Sequence, residues 1–475
     1  MSIHPEIRVL SEEDINKIHK DSLYILQKSG IRVDSSEALE IFRRSEHIRI
    51  DGNKVIILPA AVEEALGTAP GKISIYNKDG SEAFEFGFGT DYRTRFGTGC
   101  TNINYQNPIT GGIVPFTRKH TRYSCKLGSM LESFDMVSTP GVPVDCDPSL
   151  LDLYNMADMY VSTEKPMVVL LLEDNIMENA LELIKQVHGS VSDRPFIMPY
   201  VNPVTPLILN ESTTSKMLTA IENGLPLIFS NYGMSGGTTP IDGMGTLTLL
   251  NAELLAGLVF MQVARPGSEV ILGSLPAAFN MQSMISTYSP RSYLINLACA
   301  EMMHYYRIPH CGTSGSGTGW GSDINAAGDL WMNHLTSILG KVGIAPFVGG
   351  NFDSRAFSPG LVVLADNIIE KSRKFKEGLN SRGGGSLIEE ITDLGPGGDY
   401  LTAMSTLDSL ESYQQETGDI WPAISLDEWR LMGEPGASEI FARHLKAIYQ
   451  TVVAECDKKN PLLEEFEKII EKKSS

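Results

Sequence analysis

From about residue 94 to residue 377 the sequence repeats one unit, a short apolar run followed by a stretch of helical length. The runs fall at 95–98, 136–144, 167–172, 196–200, 227–231, 270–274, 309–313 and 345–348. Helical stretches follow near 117–133, 149–162, 175–189, 212–223, 246–264, 290–306, 323–341 and 360–377. Short apolar runs bounded by turn residues are the pattern of strands buried on both faces. Parallel neighbours need a crossover of helical size, so the alternation implies a parallel sheet. Eight such units over roughly 280 residues match the size of a closed (β/α)8 barrel. The competing arrangement, an open doubly wound sheet, would carry a Gly-rich phosphate-binding turn after an early strand. No G-x-G-x-x-G or Walker sequence stands there. The expected fold class is therefore α/β, a (β/α)8 TIM barrel.

The flanks read differently. Ser11 followed by Glu12, Glu13 and Asp14 starts a helix, with Ile15, Ile18, Ser22, Ile25 and Leu26 on one face and Gly30 at its C-terminal end. A second helix near 36–44 and two hairpin patterns complete an α+β cap over residues 1–92. The barrel is expected at 93–380. Beyond it, Arg382-Gly383-Gly384-Gly385 and Gly395-Pro396-Gly397-Gly398 flank an apolar stretch at 387–394. Trp429, Leu431, Phe441, Leu445, Ile448 and Val452 then recur at helical spacing, so 381–475 reads as a helical extension.

Charge and cysteine usage narrow the function. Lys and Arg total 39 against 58 for Asp and Glu, a formal net charge of −19. Such a surface repels nucleic acid and anionic membrane, which are bound mainly through Lys and Arg. The six cysteines form no C-x-x-C pair and read as reduced thiols. The N-terminus lacks a signal-peptide pattern, and no apolar run approaches the roughly 20 residues that span a bilayer. A cytoplasmic protein is expected, with a homo-oligomer left open.

In a barrel of this kind the active site lies at the C-terminal ends of the strands. No strand end carries His-x-His or a Cys pair, no helix carries H-E-x-x-H, and no G-x-S-x-G elbow appears, so no metal site and no acyl-transfer nucleophile is expected. The only acid–base candidates for a lyase or hydrolase are Asp145, Glu173 and Asp323. Glycines, small hydroxyls and aromatics predominate instead. Aromatic faces can surround a cation that neither donates nor accepts hydrogen bonds, as a quaternary ammonium requires. Tyr92, Phe96, Tyr232, Trp320, Phe347, Phe352 and Phe357 are the substrate-binding candidates of this kind. Arg93 and Arg355 are candidates to grip a carboxylate bidentately, and Asn102, Asn231 and Asn351 to orient the substrate.

Several of these segments resemble the trimethylamine methyltransferase family. The resemblance runs from Ser11-Glu12-Glu13-Asp14-Ile15 through Phe96-Gly97-Thr98-Gly99, Thr313-Ser314-Gly315-Ser316 and Val348-Gly349-Gly350 to Gly395-Pro396-Gly397-Gly398-Asp399-Tyr400-Leu401. It covers nearly the whole chain. It implies a barrel that docks a corrinoid-binding protein over its mouth and passes a methyl group to the cobalamin cobalt. Only the twenty standard residues occur here, so the chain resembles the branch that lacks pyrrolysine, whose members act on quaternary amines such as glycine betaine, proline betaine or carnitine. Under that reading Gly315, Gly317, Gly349 and Gly350 leave room for the corrin face, and meeting the corrinoid is the alternative role for Asn102, Asn231 and Asn351. Two rivals stay open: transfer from another methyl donor such as trimethylamine, and a barrel that binds betaine or corrinoid without turnover.

Overall fold

Eight of the apolar runs form parallel strands that close on themselves in the computed structural model. It describes residues 2–99, 101–172, 176–317, 319–380, 387–414 and 420–473. Cys100, Glu173, Asp174, Thr318 and the 382–385 run lie outside the described residues. The barrel strands are β1 (Arg95–Thr98), β2 (Phe134–Ser138), β3 (Met167–Val169), β4 (Ile197–Val201), β5 (Leu227–Ser235), β6 (Val270–Asn280), β7 (His310–Cys311) and β8 (Ile344–Val348). Their order is β5-β4-β3-β2-β1-β8-β7-β6, and β5 pairs with β6 to close the ring. The barrel helices are α1 (Arg118–Met130), α2 (Leu151–Tyr160), α3 (Ile176–His188), α4 (Glu211–Glu222), α5 (Gly243–Ala264), α6 (Pro290–Tyr306), α7 (Ile324–Leu339) and α8 (Pro359–Lys376). The expected α/β barrel is thus the fold. Strand bounds moved in several places: β2 starts at Phe134 and stops at Ser138, β3 stops at Val169, and β5 and β6 run on past the expected ends to Ser235 and Asn280.

Strand alternation splits the side chains into two sets. Met136, Val168, Met198, Tyr200, Ile228, Ile271, Ile344 and Phe347 fill the interior, while Phe96, Phe134, Ala345, Val348 and their neighbours face the helices. A bulge in β8 decides one of these directions. Ile344 and Phe347 both point inward although three positions separate them, because the register shifts between Ala345 and Val348. Without the extra residue, parity would turn Pro346 inward instead.

The N-terminal cap works partly as a plug. Helix Glu12–Lys28 starts at Ser11, whose hydroxyl and backbone exchange hydrogen bonds with Asp14 in a capping box. The hairpin Lys72–Tyr76 with Glu82–Gly87 sends Ile73, Ile75, Phe84 and Phe86 into the interior cluster. These residues close the N-terminal end of the barrel. At the other end of the chain, helices Ala437–Cys456 and Pro461–Lys473 bury Phe441, Leu445, Val452, Phe466 and Ile470. A buried carboxylate ties them down: Asp158 is fully enclosed between Arg118 and Arg122, and Arg118 also reaches Glu467 at 2.9 Å. Paired in this way the charge is tolerated, whereas removing one partner would leave a buried ion exposed to a large desolvation cost.

One expectation from the sequence is corrected here. Helix α5 has 22 residues and a mean hydropathy of 1.6 over its most apolar window, enough in length and composition to cross a bilayer. Yet 78% of that window is buried, against Phe42, Phe229 and the helix of the N-terminal cap. A helix apolar all round marks a core element as well as a membrane span.

Candidate active site

Tyr200 on β4 and Phe347 on β8 come from opposite sides of the ring and meet on the barrel axis. Their ring centroids are 4.9 Å apart at an interplanar angle of 77°, an edge-to-face contact, and both are nearly fully buried. They form the floor of the C-terminal mouth. Tyr232 lies further along β5 on the inward face shared with Ile228, and is half-buried. Leu275 on β6 packs against the same interior cluster, and Phe279 follows it at even spacing. Ser230, also inward on β5, has a buried hydroxyl without a protein hydrogen-bond partner among the described residues.

Loops from three strands build one wall. Short strands Asn104–Gln106, Ile113–Pro115, Gly350–Asn351 and Ala356–Phe357 form a four-stranded sheet beside the mouth. The Asn351 amide meets that of Gln106 at 2.8 Å, and Gln106 donates to the Trp320 carbonyl at 3.0 Å, so the loops after β1, β7 and β8 are tied together. Phe352, Asp353 and Ser354 are three consecutive non-glycine residues in the left-handed region. Such backbone persists only where its surroundings hold it, and here the Ser286 hydroxyl donates to Asp353 at 2.6 Å. Phe352 and the Arg355 guanidinium are thereby presented at the rim, both exposed.

The substrate-binding candidates separate into three groups. Phe347, Tyr232, Phe352 and Arg355 lie at the mouth. Asn102 and Asn351 lie beside it but serve the loops: Asn102 is fully buried and its amide donates to Pro140 O at 3.1 Å. The rest need correction. Tyr92 and Arg93 precede β1 and sit at the opposite, N-terminal end, where Tyr92 packs edge-on against His304 at 5.0 Å and lies 5.5 Å from the Lys341 ammonium. Phe96 points outward and meets His334 at 5.3 Å, and Phe357 packs in the same outer layer, 6.2 Å from Tyr105. Asn231 is buried against α5, donating to Leu250 O and to Glu253. Trp320, 77% exposed, stands on the outer rim rather than over the floor.

The glycines also differ from expectation. A Cβ on Gly315 would meet the His334 ring at 2.6 Å, and one on Gly317 the Tyr288 ring at 2.4 Å. A Cβ on Gly349 would strike Val362 at 2.7 Å, and Gly350 pairs with Phe357 in the wall sheet. The space beside Gly315, Gly317 and Gly349 is filled by the protein itself, which lets the loops fold closely; it is not a cradle for a corrin face.

The comparisons decide the family. Residues 1–473 match the family model described as trimethylamine methyltransferase (MTTB). This chain belongs to the trimethylamine methyltransferase family. A glycine betaine methyltransferase of Desulfitobacterium hafniense is 26% identical over 408 residues, covering 85% of this chain and 84% of the relative. A trimethylamine methyltransferase of Methanosarcina thermophila is 25% identical over 412 residues, with 84% of each chain covered. Among solved structures, the Methanosarcina barkeri monomethylamine methyltransferase superposes with a TM-score of 0.54 at 10% identity, over 94% of this chain and 88% of that one. At that identity the likeness concerns the fold.

The described acid–base candidates of this methyltransferase and two nearby histidines are engaged elsewhere. Asp145 accepts the Arg118 N–H at 2.8 Å, and Asp323 accepts those of Trp320 and Ala326, both at 2.8 Å, capping α7. His120 stacks flat on Tyr105 at 4.0 Å, and burial lowers its pKa to about 4, so it is a neutral packing ring. Burial likewise lowers His334 to about 3, with its Nδ1 2.8 Å from the Ser314 hydroxyl. No group of three or more His, Cys, Asp or Glu suited to a metal occurs among the described residues. Tyr200 and Ser230 were missed from sequence. Their even spacing from Met198 and Ile228 was the available signal, since it puts them on the inward face.

Proposed function

We propose that this member of the family moves a methyl group from a quaternary amine of the betaine type to the cob(I)alamin of a corrinoid protein. The observation that carries this reading is the Tyr200–Phe347 pair on the barrel axis, with Tyr232 toward the opening. A quaternary ammonium has no N–H, so ring faces suit it better than hydrogen-bond acceptors do. It departs as a neutral tertiary amine, so the displacement needs no proton donor. The protein's task is then to aim one methyl outward and to keep water off the cation. Tyr200, Phe347 and Tyr232 hold the ammonium, while Arg355 at the rim and the Ser230 hydroxyl take the carboxylate. Protonated trimethylamine, by contrast, carries one N–H, and among the described carboxylates Asp145 and Asp323 are committed to backbone N–H groups while Asp353 at the rim accepts the Ser286 hydroxyl.

The corrinoid, when presented, supplies the cobalt(I) nucleophile that accepts the methyl. Because the mouth glycines are occupied by neighbouring side chains, it would be held by a partner protein against the rim. That rim suits a protein partner, for Ile103, Val144, Leu172, Met281, Trp320 and Phe352 are exposed apolar residues from six different strand-end loops.

The test is anaerobic. The chain is mixed with cob(I)alamin and, in turn, glycine betaine, proline betaine, carnitine, choline and trimethylamine, and loss of the cobalt(I) absorbance is followed. Methylation by one betaine and silence with trimethylamine is the expected result. Transfer from trimethylamine alone would overturn the donor class, and silence throughout, repeated with corrinoid proteins as acceptors, would overturn the reading.

A further inference from the structure

Two carboxylates are enclosed in this protein and kept in opposite ways. Asp158 lies between two arginines. Glu253 on α5 is just as closely buried, yet no cation pairs with it among the described residues. Three neutral donors surround it instead. The Leu207 N–H donates to one carboxylate oxygen at 2.6 Å, and the Thr205 hydroxyl and Asn231 amide donate to the other at 2.9 and 2.8 Å. A buried charge without a counter-ion is costly, and hydrogen bonds to its ionised form are what make it tolerable. Burial pushes the Glu253 pKa up, and these three bonds pull it back. Gln in its place would be neutral but would offer one acceptor oxygen to three donors. The carboxylate is thus kept for its acceptors, and its donors define its task.

Those donors belong to two neighbouring walls of the mouth. Thr205 and Leu207 lie in the loop that follows β4, the strand carrying Tyr200. Asn231 lies on β5 between Ser230 and Tyr232 and points outward where they point inward. Leu207 is in the left-handed region at φ 60°, backbone that a leucine adopts only when held there. Both of its backbone groups are held: the N–H by Glu253, and the carbonyl by the Arg32 N–H of the cap at 2.9 Å. Asn231 carries the restraint further, for its side-chain oxygen accepts the Ser274 hydroxyl of β6 at 2.6 Å. The Asn202 amide closes the circuit, donating to the Ser230 carbonyl at 2.6 Å.

We propose that Glu253 is a positioning residue: from behind the barrel wall it locks the loop after β4 to β5, and so fixes how Tyr200 and Tyr232 aim the substrate's methyl group. The proposal rests on the reading of the mouth as a quaternary-ammonium site. Ring faces attract a cation over a range of approaches, whereas in-line displacement tolerates little misalignment, a shift of about 1 Å costing on the order of 100-fold in rate. A slackened lock therefore acts on transfer more than on binding.

The test compares Glu253→Gln with the unsubstituted chain, measuring betaine affinity by titration calorimetry and the single-turnover rate of methyl transfer to cob(I)alamin. Transfer is expected to slow about tenfold or more while affinity changes by less than about threefold. Thr205→Val, which removes one donor and keeps the carboxylate, is expected to move the rate the same way by a smaller factor. Phe84→Ala in the distant hairpin is the control for lost stability, and its folded form should transfer at the full rate. Equal losses of rate and affinity, an unchanged rate, or the same slowing in Phe84→Ala would overturn the proposal. Should the unsubstituted chain transfer from no betaine, the functional reading falls by itself, and hydrogen exchange still decides the lock. Glu253→Gln should speed amide exchange at Leu207 and Ile208 at least tenfold; unchanged exchange there would overturn it.

Discussion

The two ends of this barrel share one interior but are finished differently. At the N-terminal end a hairpin drives Ile73, Ile75, Phe84 and Phe86 into the cylinder, and all four are buried. At the C-terminal end the interior stops at Tyr200 and Phe347, above which Tyr232 and Leu275 are half-buried. Apolar side chains from a separate element fill the first end because nothing has to enter there. The second end is left for a ligand to finish, with aromatic faces where a filled barrel would carry aliphatic ones. Stability is concentrated at one end and recognition at the other, the division that strand-end loops allow in this fold.

That contrast can be broken by substitution. The largest effect is expected at the plug. Phe84→Ala removes a buried ring and leaves a cavity, at a cost of about 3 kcal/mol or more. Chemical denaturation should show it as a lower midpoint, while the affinity of the folded protein for a betaine stays as it was. A loss of affinity equal to that of a mouth variant would mean the two ends are not separable.

At the mouth the balance reverses. Phe347→Leu keeps most of the volume and removes the ring face, so stability should change little. Binding of a quaternary amine should weaken about 30-fold, the worth of a desolvated cation–π contact of about 2 kcal/mol. Titration calorimetry with glycine betaine reads this directly, and an unchanged affinity would take Phe347 out of the cage.

The smallest effect compares two arginines that look alike in sequence. Arg355 is exposed at the mouth and Arg93 is exposed at the opposite end. An exposed charge contact is worth about 1 kcal/mol at most. Arg355→Ala should therefore weaken betaine binding about fivefold and leave choline, which lacks the carboxylate, unaffected. Arg93→Ala should alter neither. Equal effects of the two variants would point to long-range charge instead of contact.

How far the sequence alone reached depends on what kind of information each feature needs. The eight-fold alternation and the helix start at Ser11 are local patterns, and each survives because periodicity and capping are fixed by neighbouring residues. The mouth was only half legible. Phe347 and Tyr232 could be named from strand ends, but Phe96 and Phe357 look the same in sequence and face the helices. The direction of a strand residue is a matter of parity, and parity changes at a bulge such as that in β8, which no composition announces. Tyr92 failed for another reason: it lies next to a strand but before it, and the two ends of a strand are 10 Å or more apart (about 3.3 Å per residue).

By itself, then, the sequence determined the class of the fold, because that follows from residue types at short spacing. Only the tertiary structure decided which aromatics meet. Tyr200 and Phe347 are separated by 147 positions and come from opposite strands of a closed ring, so their contact exists only once the barrel has closed. It likewise decided that the mouth glycines are filled by His334, Tyr288 and Val362, since what occupies the space beside a glycine belongs to distant parts of the chain.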